Sequence, residues 1–154
     1  MVNSAQRDVM LIGAYLGQLG EKRRTAVPKR FLEELGEKLV IAKWYEGCLV
    51  LVSTDWWEAL LDRLTGGSRV ASLGVRDIER FILGSAFEVA PDSQGRIVIP
   101  EILANFAELT QELVFLGLGN RAEIWAKEAW EKKAEEIGAT TREFIENLAK
   151  NEKR

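Results

Sequence analysis

Histidine is absent from this 154-residue chain, and cysteine occurs once, at Cys48. Without imidazole there is no Ser-His or Cys-His nucleophile and no zinc site of the kind that needs histidine. A single thiol excludes an internal disulfide framework and fits a reducing compartment. Cys48 lies between Gly47 and the apolar run Leu49-Val50-Leu51-Val52 and reads as a buried small hydrophobe rather than a reactive group. No apolar run approaches the roughly 18 residues of a membrane span, and residues 1–9 lack the apolar segment of a signal peptide. The chain is therefore expected to be soluble and cytoplasmic. No P-loop is present, and LGLGNR falls short of the dinucleotide fingerprint. The acidic pair Glu135-Glu136 sits in a mixed-charge segment and reads as solvated. No enzyme, cofactor, metal or small-molecule substrate is expected.

An excess of positive charge is missing too. Lysine and arginine total 21 against 24 acidic residues, a formal net charge of −3 and a pI near 5.2. Domains that bind nucleic acid through overall charge often have a pI above about 9. Any such role here must rest on basic residues gathered locally. The 47% hydrophobic and 29% charged composition is that of an ordinary globular protein, either one domain or two half-domains sharing a core.

What the chain does have is a repeat. Gly20–Pro28 aligns with Asp92–Pro100 at an offset of 72, and the match continues downstream. Each proline precedes a short helical pattern: Phe31, Leu32 and Leu35 before Gly36 in one copy, Ile102, Leu103 and Phe106 in the other. Paired strands follow at 38–42 and 112–116, then turns at Tyr45-Glu46-Gly47 and Gly119-Asn120-Arg121. Returning strands at 49–52 and 122–125 come next, and helices bearing Trp57 and Trp130 close the copies. Drifting offsets are what loop insertions in a duplicated unit produce. Ser53 or Thr54 caps the first closing helix, and Gly66-Gly67 stops it. The second runs from about Lys127 to Ile137. Between the copies, Val75, Ile78, Phe81 and Ile82 mark an amphipathic helix whose stripe reads as core. After Gly138, Thr140 and Glu143 form a capping box for a separate last helix, and the tail NEKR frays. Each half is thus strand, basic turn, strand, helix, hairpin, helix, and two such halves are expected to close into one barrel.

The two turns draw most interest. Lys22, Arg23, Arg24, Lys29 and Arg30 face only Glu21, a local net of +4 in an acidic protein. A solvated surface turn is the bland account; contact with phosphates, and with guanine edges in a major groove, is the sharper one. The second turn, PDSQGRIVIP, carries Gln94 and Arg96. Asp92 accepts backbone N–H bonds in an Asx-turn there, pairs with Arg96, and Gly95 supplies a positive φ. The five tryptophans, Trp44, Trp56, Trp57, Trp125 and Trp130, read mainly as core or subunit-interface anchors rather than base-stacking platforms.

Over residues 10–137 the chain resembles the MraZ family of bacterial transcription regulators, built from two AbrB-like (SpoVT-AbrB) repeats. The resemblance rests on PDSQGRIVIP, which matches the family's D-x-K/Q-G-R…I-P pattern, and on EGCLVLVSTDWWEAL, RDIERFILGSA and GLGNRAEIWAKEAWEK in order. It implies an α+β fold with a mainly β core: a double-split, swapped-hairpin AbrB-like β-barrel formed by the two internal repeats, with short packing helices. The organisation implied is an N-terminal extension 1–9, a first repeat 10–66, a linker helix 67–84, a second repeat 85–137, and a C-terminal helix and tail 138–154. It further implies a nucleoid-associated regulator that forms a homo-oligomeric ring on repeated double-stranded DNA sites upstream of the division and cell-wall gene cluster. The motif arginines carry over to Arg24 and Arg96 as DNA contacts, with Lys22 and Gln94 at the motif's middle position. Arg23, Lys29 and Arg30 join them through their charge, and Asp92 and Gly95 orient the second turn. The first copy departs from the pattern, with Gly20 in place of aspartate and Arg23 in place of glycine. Phosphate affinity is expected to suffer less from this than base selectivity. The rival reading is an oligomeric scaffold of the same fold that has lost specific DNA binding; an AbrB-like antitoxin ranks behind it, because the C-terminal segment reads as capped helix.

Overall fold

The computed structural model describes residues 9–65 and 73–152. The elements run β1 (Leu11–Gln18), β2 (Arg24–Ala26), α1 (Lys29–Leu35), β3 (Leu39–Lys43), β4 (Leu49–Ser53), α2 (Thr54–Thr65), α3 (Leu73–Ile82), β5 (Phe87–Val89), β6 (Arg96–Val98), α4 (Glu101–Phe106), β7 (Glu112–Gly119), β8 (Ala122–Ala126) and α5 (Lys127–Glu152). The fold is α+β with antiparallel pairing throughout. A six-stranded sheet has the order β1-β7-β8-β4-β3-β5, and β2 and β6 form a separate two-stranded ribbon.

The apolar runs of β3 and β4 and the full burial of β8 are explained by cover on both faces. One face carries Leu39, Ile41, Leu49, Leu51, Leu113, Phe115 and Ile124, which pack with Phe31, Leu35 and Leu103 of the two proline-led helices and with Val27, Ile97 and Ile99 from the ribbon. The other carries Val40, Ala42, Val50, Val52 and Trp125, covered by Leu60 and Leu61 of α2, Ile82 of α3, and Trp57 and Trp130. Each large side chain buried this way contributes about 1.5–3 kcal/mol. Cys48 is a fully buried member of the second cluster. Its thiol donates to the Tyr45 carbonyl at 3.2 Å, and burial, with Glu123 and Glu46 nearby, pushes its ionisation far above the ordinary range. That suits packing and not reactivity.

Three expectations change. The hydrogen bonds among the described residues do not close a barrel, because β1 and β5 remain edges of the larger sheet. Strand β5 has only three residues, and Pro91 lacks the N–H that would extend it. There is no separate last helix: α5 runs unbroken through Gly138 to Glu152. A helical glycine costs about 1 kcal/mol relative to alanine, too little to break a helix continued by good formers on both sides. The α3 stripe is only partly core: Ile82 is buried, but Phe81 stays exposed and meets Phe106 edge-on. Trp44 and Trp125 are buried, whereas Trp56 is half-buried. The Gly66-Gly67 stop, residues 1–8 and the last two tail residues lie outside the described residues.

Candidate nucleic-acid interface

The ribbon brings together chain segments 72 positions apart. Arg24 pairs with Val98, Thr25 with Ile97 and Ala26 with Arg96. Flanking bonds extend this register on both sides: the Val27 amide donates to Gly95 at 3.0 Å, and the Ile99 amide donates to Arg23 at 2.9 Å. Shifting any of these bonds by the repeat offset gives another of them, so the ribbon is internally two-fold.

Pleating decides which side chains face out. Thr25 and Ile97 are 1% exposed and point to the core, together with Val27 and Ile99. Arg24, Ala26, Arg96 and Val98 therefore share the outer face. The two arginines occupy one diagonal, about 7–8 Å apart by sheet geometry. Ala26 and Val98 occupy the other, with Val98 45% exposed. These two small apolar residues were missed in the sequence; their signal was simply the alternation two positions on from each arginine.

The corners leading into the strands differ. In the second, Asp92 Oδ1 accepts the Gln94 and Arg96 amides, each at 2.9 Å, and Oδ2 accepts Arg96 Nε at 2.9 Å. The Arg96 amide is the largest influence holding the Asp92 carboxyl below its ordinary value, with the Gln94 amide and the Arg96 guanidinium adding to it. The Gly95 amide closes the turn on the Asp92 carbonyl at 3.0 Å, and Gly95 takes φ +76°. Because the ion pair uses only Nε, both terminal nitrogens of Arg96 remain available. Gln94 is exposed at the tip.

In the first corner Gly20 offers no carboxylate, and the Arg24 amide donates instead to the Glu21 carbonyl. That moves the turn by one residue and places both Lys22 (φ 56°) and Arg23 (φ 58°) in the left-handed region. Arg24 is exposed, and its side chain has no hydrogen bond or ion pair among the described residues. Arg23 is half-buried, with Nε donating to the Ile99 carbonyl at 2.9 Å. Lys22 at the tip and Lys29 and Arg30 in the first turn of α1 are exposed. The second copy has Glu101 and Ile102 at the places of Lys29 and Arg30, so the positive charge is concentrated in the first copy, whose α1 starts beside the Gly95 corner.

Elsewhere, among the described residues, no group of three or more His, Cys, Asp or Glu converges on a metal position, and no helix is long and apolar enough to cross a membrane. Comparison with known proteins bears on the family. The family model described as "MraZ protein, putative antitoxin-like" matches residues 82–151. A protein named transcriptional regulator MraZ from Caldanaerobacter subterraneus subsp. tengcongensis is 36% identical over 139 residues, covering 90% of this chain and 96% of that protein. The chain belongs to the MraZ family. Like-named proteins from Oenococcus oeni (36% identical over 143 residues, 91% of this chain and 94% of the relative) and Bifidobacterium longum (34% over 122 residues, 79% and 81%) agree. Within this MraZ-family chain, the complete D-x-Q-G-R motif forms the corner held by its own carboxylate, and the departing copy forms the corner held by backbone carbonyls.

Proposed function

We propose that this chain is a transcriptional regulator that binds double-stranded DNA through the outer face of the β2–β6 ribbon. The observation that carries the reading is that Arg24 and Arg96, from two different copies of the repeat, stand on one exposed face while the residues between them are buried. A two-stranded ribbon fits a major groove about 12 Å wide, and an arginine there pairs bidentately with guanine. Val98 and Ala26, on the other diagonal, suit contact with thymine methyl groups. Lys22, Lys29 and Arg30 flank the ribbon as phosphate contacts, and Gln94 reaches from the second tip. The names of the relatives support the regulatory role. The reading takes 10–66 and 85–137 as two AbrB-like repeats intertwined at the ribbon.

One chain offers two arginine corners and a few phosphate contacts, each worth a slope of about −0.9 in the logarithm of affinity against salt. Binding at cellular salt then calls for several copies on repeated sites, where effective concentration raises avidity by about 10²–10⁴. Surfaces suited to self-assembly into a ring are at hand. Ile12 and Leu16 on β1 are 67% and 71% exposed, and Ile137, Phe144, Ile145 and Leu148 on α5 are exposed as well.

Selection of bound duplexes from a random pool tests the function, with Arg24→Ala and Arg96→Ala as controls. A repeated motif should emerge, first sought upstream of the division and cell-wall gene cluster. Both variants should bind the selected duplex at least about tenfold more weakly, the scale of one bidentate contact. No enrichment, or unchanged binding in both variants, would transfer the function to a protein scaffold.

A further inference from the structure

The two corners are kept rigid by different devices, and in the first corner the device is a side chain from the tip itself. Arg23 grips Ile99 from both sides. Its carbonyl accepts the Ile99 amide at 2.9 Å, and its Nε donates to the Ile99 carbonyl at 2.9 Å. The two-fold mate of the first bond exists, from the Val27 amide to the Gly95 carbonyl. The mate of the second does not, since Gly95 has no side chain. The second corner instead has its internal carboxylate, which the first corner lacks at Gly20.

We propose that Arg23 is a positioning residue and not a DNA contact: its side chain ties the first loop to strand β6 and takes over there the work that Asp92 does in the second loop. Three features fit this assignment. Arg23 is half-buried, whereas Lys22 and Arg24 on either side are exposed. Its carbonyl meets the same residue, accepting the Ile99 amide at 2.9 Å, so the main chain and the side chain of Arg23 converge on one partner. Its guanidinium is anchored at Nε, the nitrogen nearest the backbone, so the group lies along the ribbon toward Ile99.

The loops therefore differ in what they depend on. In the second, the side-chain bonds run within residues 92–96. The first is completed by a residue of the other copy. Base discrimination at the first corner should then fall when the Arg23–Ile99 bond is removed, even if the charge at position 23 is kept.

Side-chain geometry separates the two roles. The amide nitrogen of glutamine sits as many bonds from the backbone as Nε of arginine, so Arg23→Gln keeps the donor and removes the charge. Lysine has a methylene at that place, so Arg23→Lys keeps the charge and removes the donor. This proposal rests on the DNA reading for its binding arm alone. The probes are a duplex recovered from the random-pool selection and a scrambled duplex of the same composition, each measured over a salt series, with amide exchange at Ile99 as a DNA-free readout.

Arg23→Gln should keep the wild-type ratio of selected to scrambled affinity and slow exchange at Ile99. Arg23→Lys should lower that ratio about tenfold, the order of one base contact, and speed the exchange. The opposite pattern overturns the assignment: Arg23→Gln losing about 0.9 from the salt slope while Arg23→Lys behaves as wild type marks a phosphate contact. Equal behaviour of the two variants in exchange overturns it also. If the wild-type protein does not distinguish the two duplexes, the DNA reading fails, and the exchange arm still decides the clasp.

Discussion

The two corners of the ribbon share a register and an outer face but not a means of holding an arginine. Arg96 is fixed by a carboxylate four residues earlier, which bonds its amide and its guanidinium together. Arg24 has its amide on the Glu21 carbonyl, and its guanidinium has no partner among the described residues. A fixed guanidinium presents its donor fork at one angle and loses little entropy on pairing with a base, which favours discrimination. An unheld one loses more entropy on pairing and tolerates more geometries, so it discriminates less sharply. Lys22, exposed at the tip of the same corner, adds a second cation beside the unheld arginine. The difference between the copies thus reads as one of degree: both corners read bases, the second more sharply.

The sharpest way to break this comparison is to make the corners alike. The four substitutions Gly20→Asp, Glu21→Ser, Lys22→Gln and Arg23→Gly turn residues 20–24 into the sequence of 92–96. Gly20 has φ −90°, which aspartate adopts freely, and its amide already bonds the Arg24 carbonyl at 2.7 Å, as the Asp92 amide bonds that of Arg96 at 2.9 Å. The selected-to-scrambled ratio should rise about tenfold, while the salt slope shrinks by about 0.9 for each phosphate no longer neutralised. Binding to both duplexes over a salt series checks it. An unchanged ratio would mean that carboxylate anchoring does not distinguish the corners.

A smaller effect follows from backbone conformation, and it has opposite sign in the two loops. Gly95 has φ +76°, and an added Cβ would come within 3.1 Å of Leu32 Cδ1. Gly95→Ala should therefore lose about 1–2 kcal/mol of stability. Lys22 occupies the same left-handed region as a non-glycine residue with an exposed side chain. Lys22→Gly should gain a few tenths to about 1 kcal/mol, the relief being partly offset by glycine's extra freedom in the unfolded chain. Urea unfolding at unchanged slope measures both. Loss of stability in Lys22→Gly would show that the first loop draws on the lysine side chain.

Much of this was legible where the governing chemistry is local. PDSQGR specifies its turn from within, so the Asx bonds and the Asp92–Arg96 pair could be read from spacing. Pro28 and Pro100 announce α1 and α4, and the apolar runs announce β3, β4, β7 and β8. The rest depended on interactions with no local signal. Arg23 looked like one cation in a basic cluster until β6 came beside it, because a bond across 76 residues leaves no trace in spacing. Of the first loop's shifted turn only half was legible: Gly20 showed that no carboxylate stands there, but not that the Glu21 carbonyl takes the Arg24 amide. Gly138 misled because a stop signal was read where a cost of about 1 kcal/mol was simply tolerated.

The mildest test separates the corners by acidity. The Asp92 carboxyl is held below its ordinary value, first by the Arg96 amide. A carboxyl whose folded-state value is depressed contributes its stabilisation above the unfolded value, about 3.9 for aspartate, and loses it as pH falls through the folded value. Discrimination due to Arg96 should accordingly stay level from neutral pH down to that region, with the hold on its guanidinium released only below it. Asp92→Asn makes the same change without acid: the amide oxygen still accepts the Gln94 and Arg96 amides, but the charge facing Arg96 Nε is gone. At neutral pH this variant should lose base discrimination with little change in the salt slope, and the same substitution tested beside Arg24 is impossible, since Gly20 has no carboxyl to remove. The carboxyl-carbon chemical shift of Asp92 followed through acid gives the midpoint directly. A midpoint at or above the ordinary aspartate value would mean that Arg96 is not held, and the two corners would then differ only in charge.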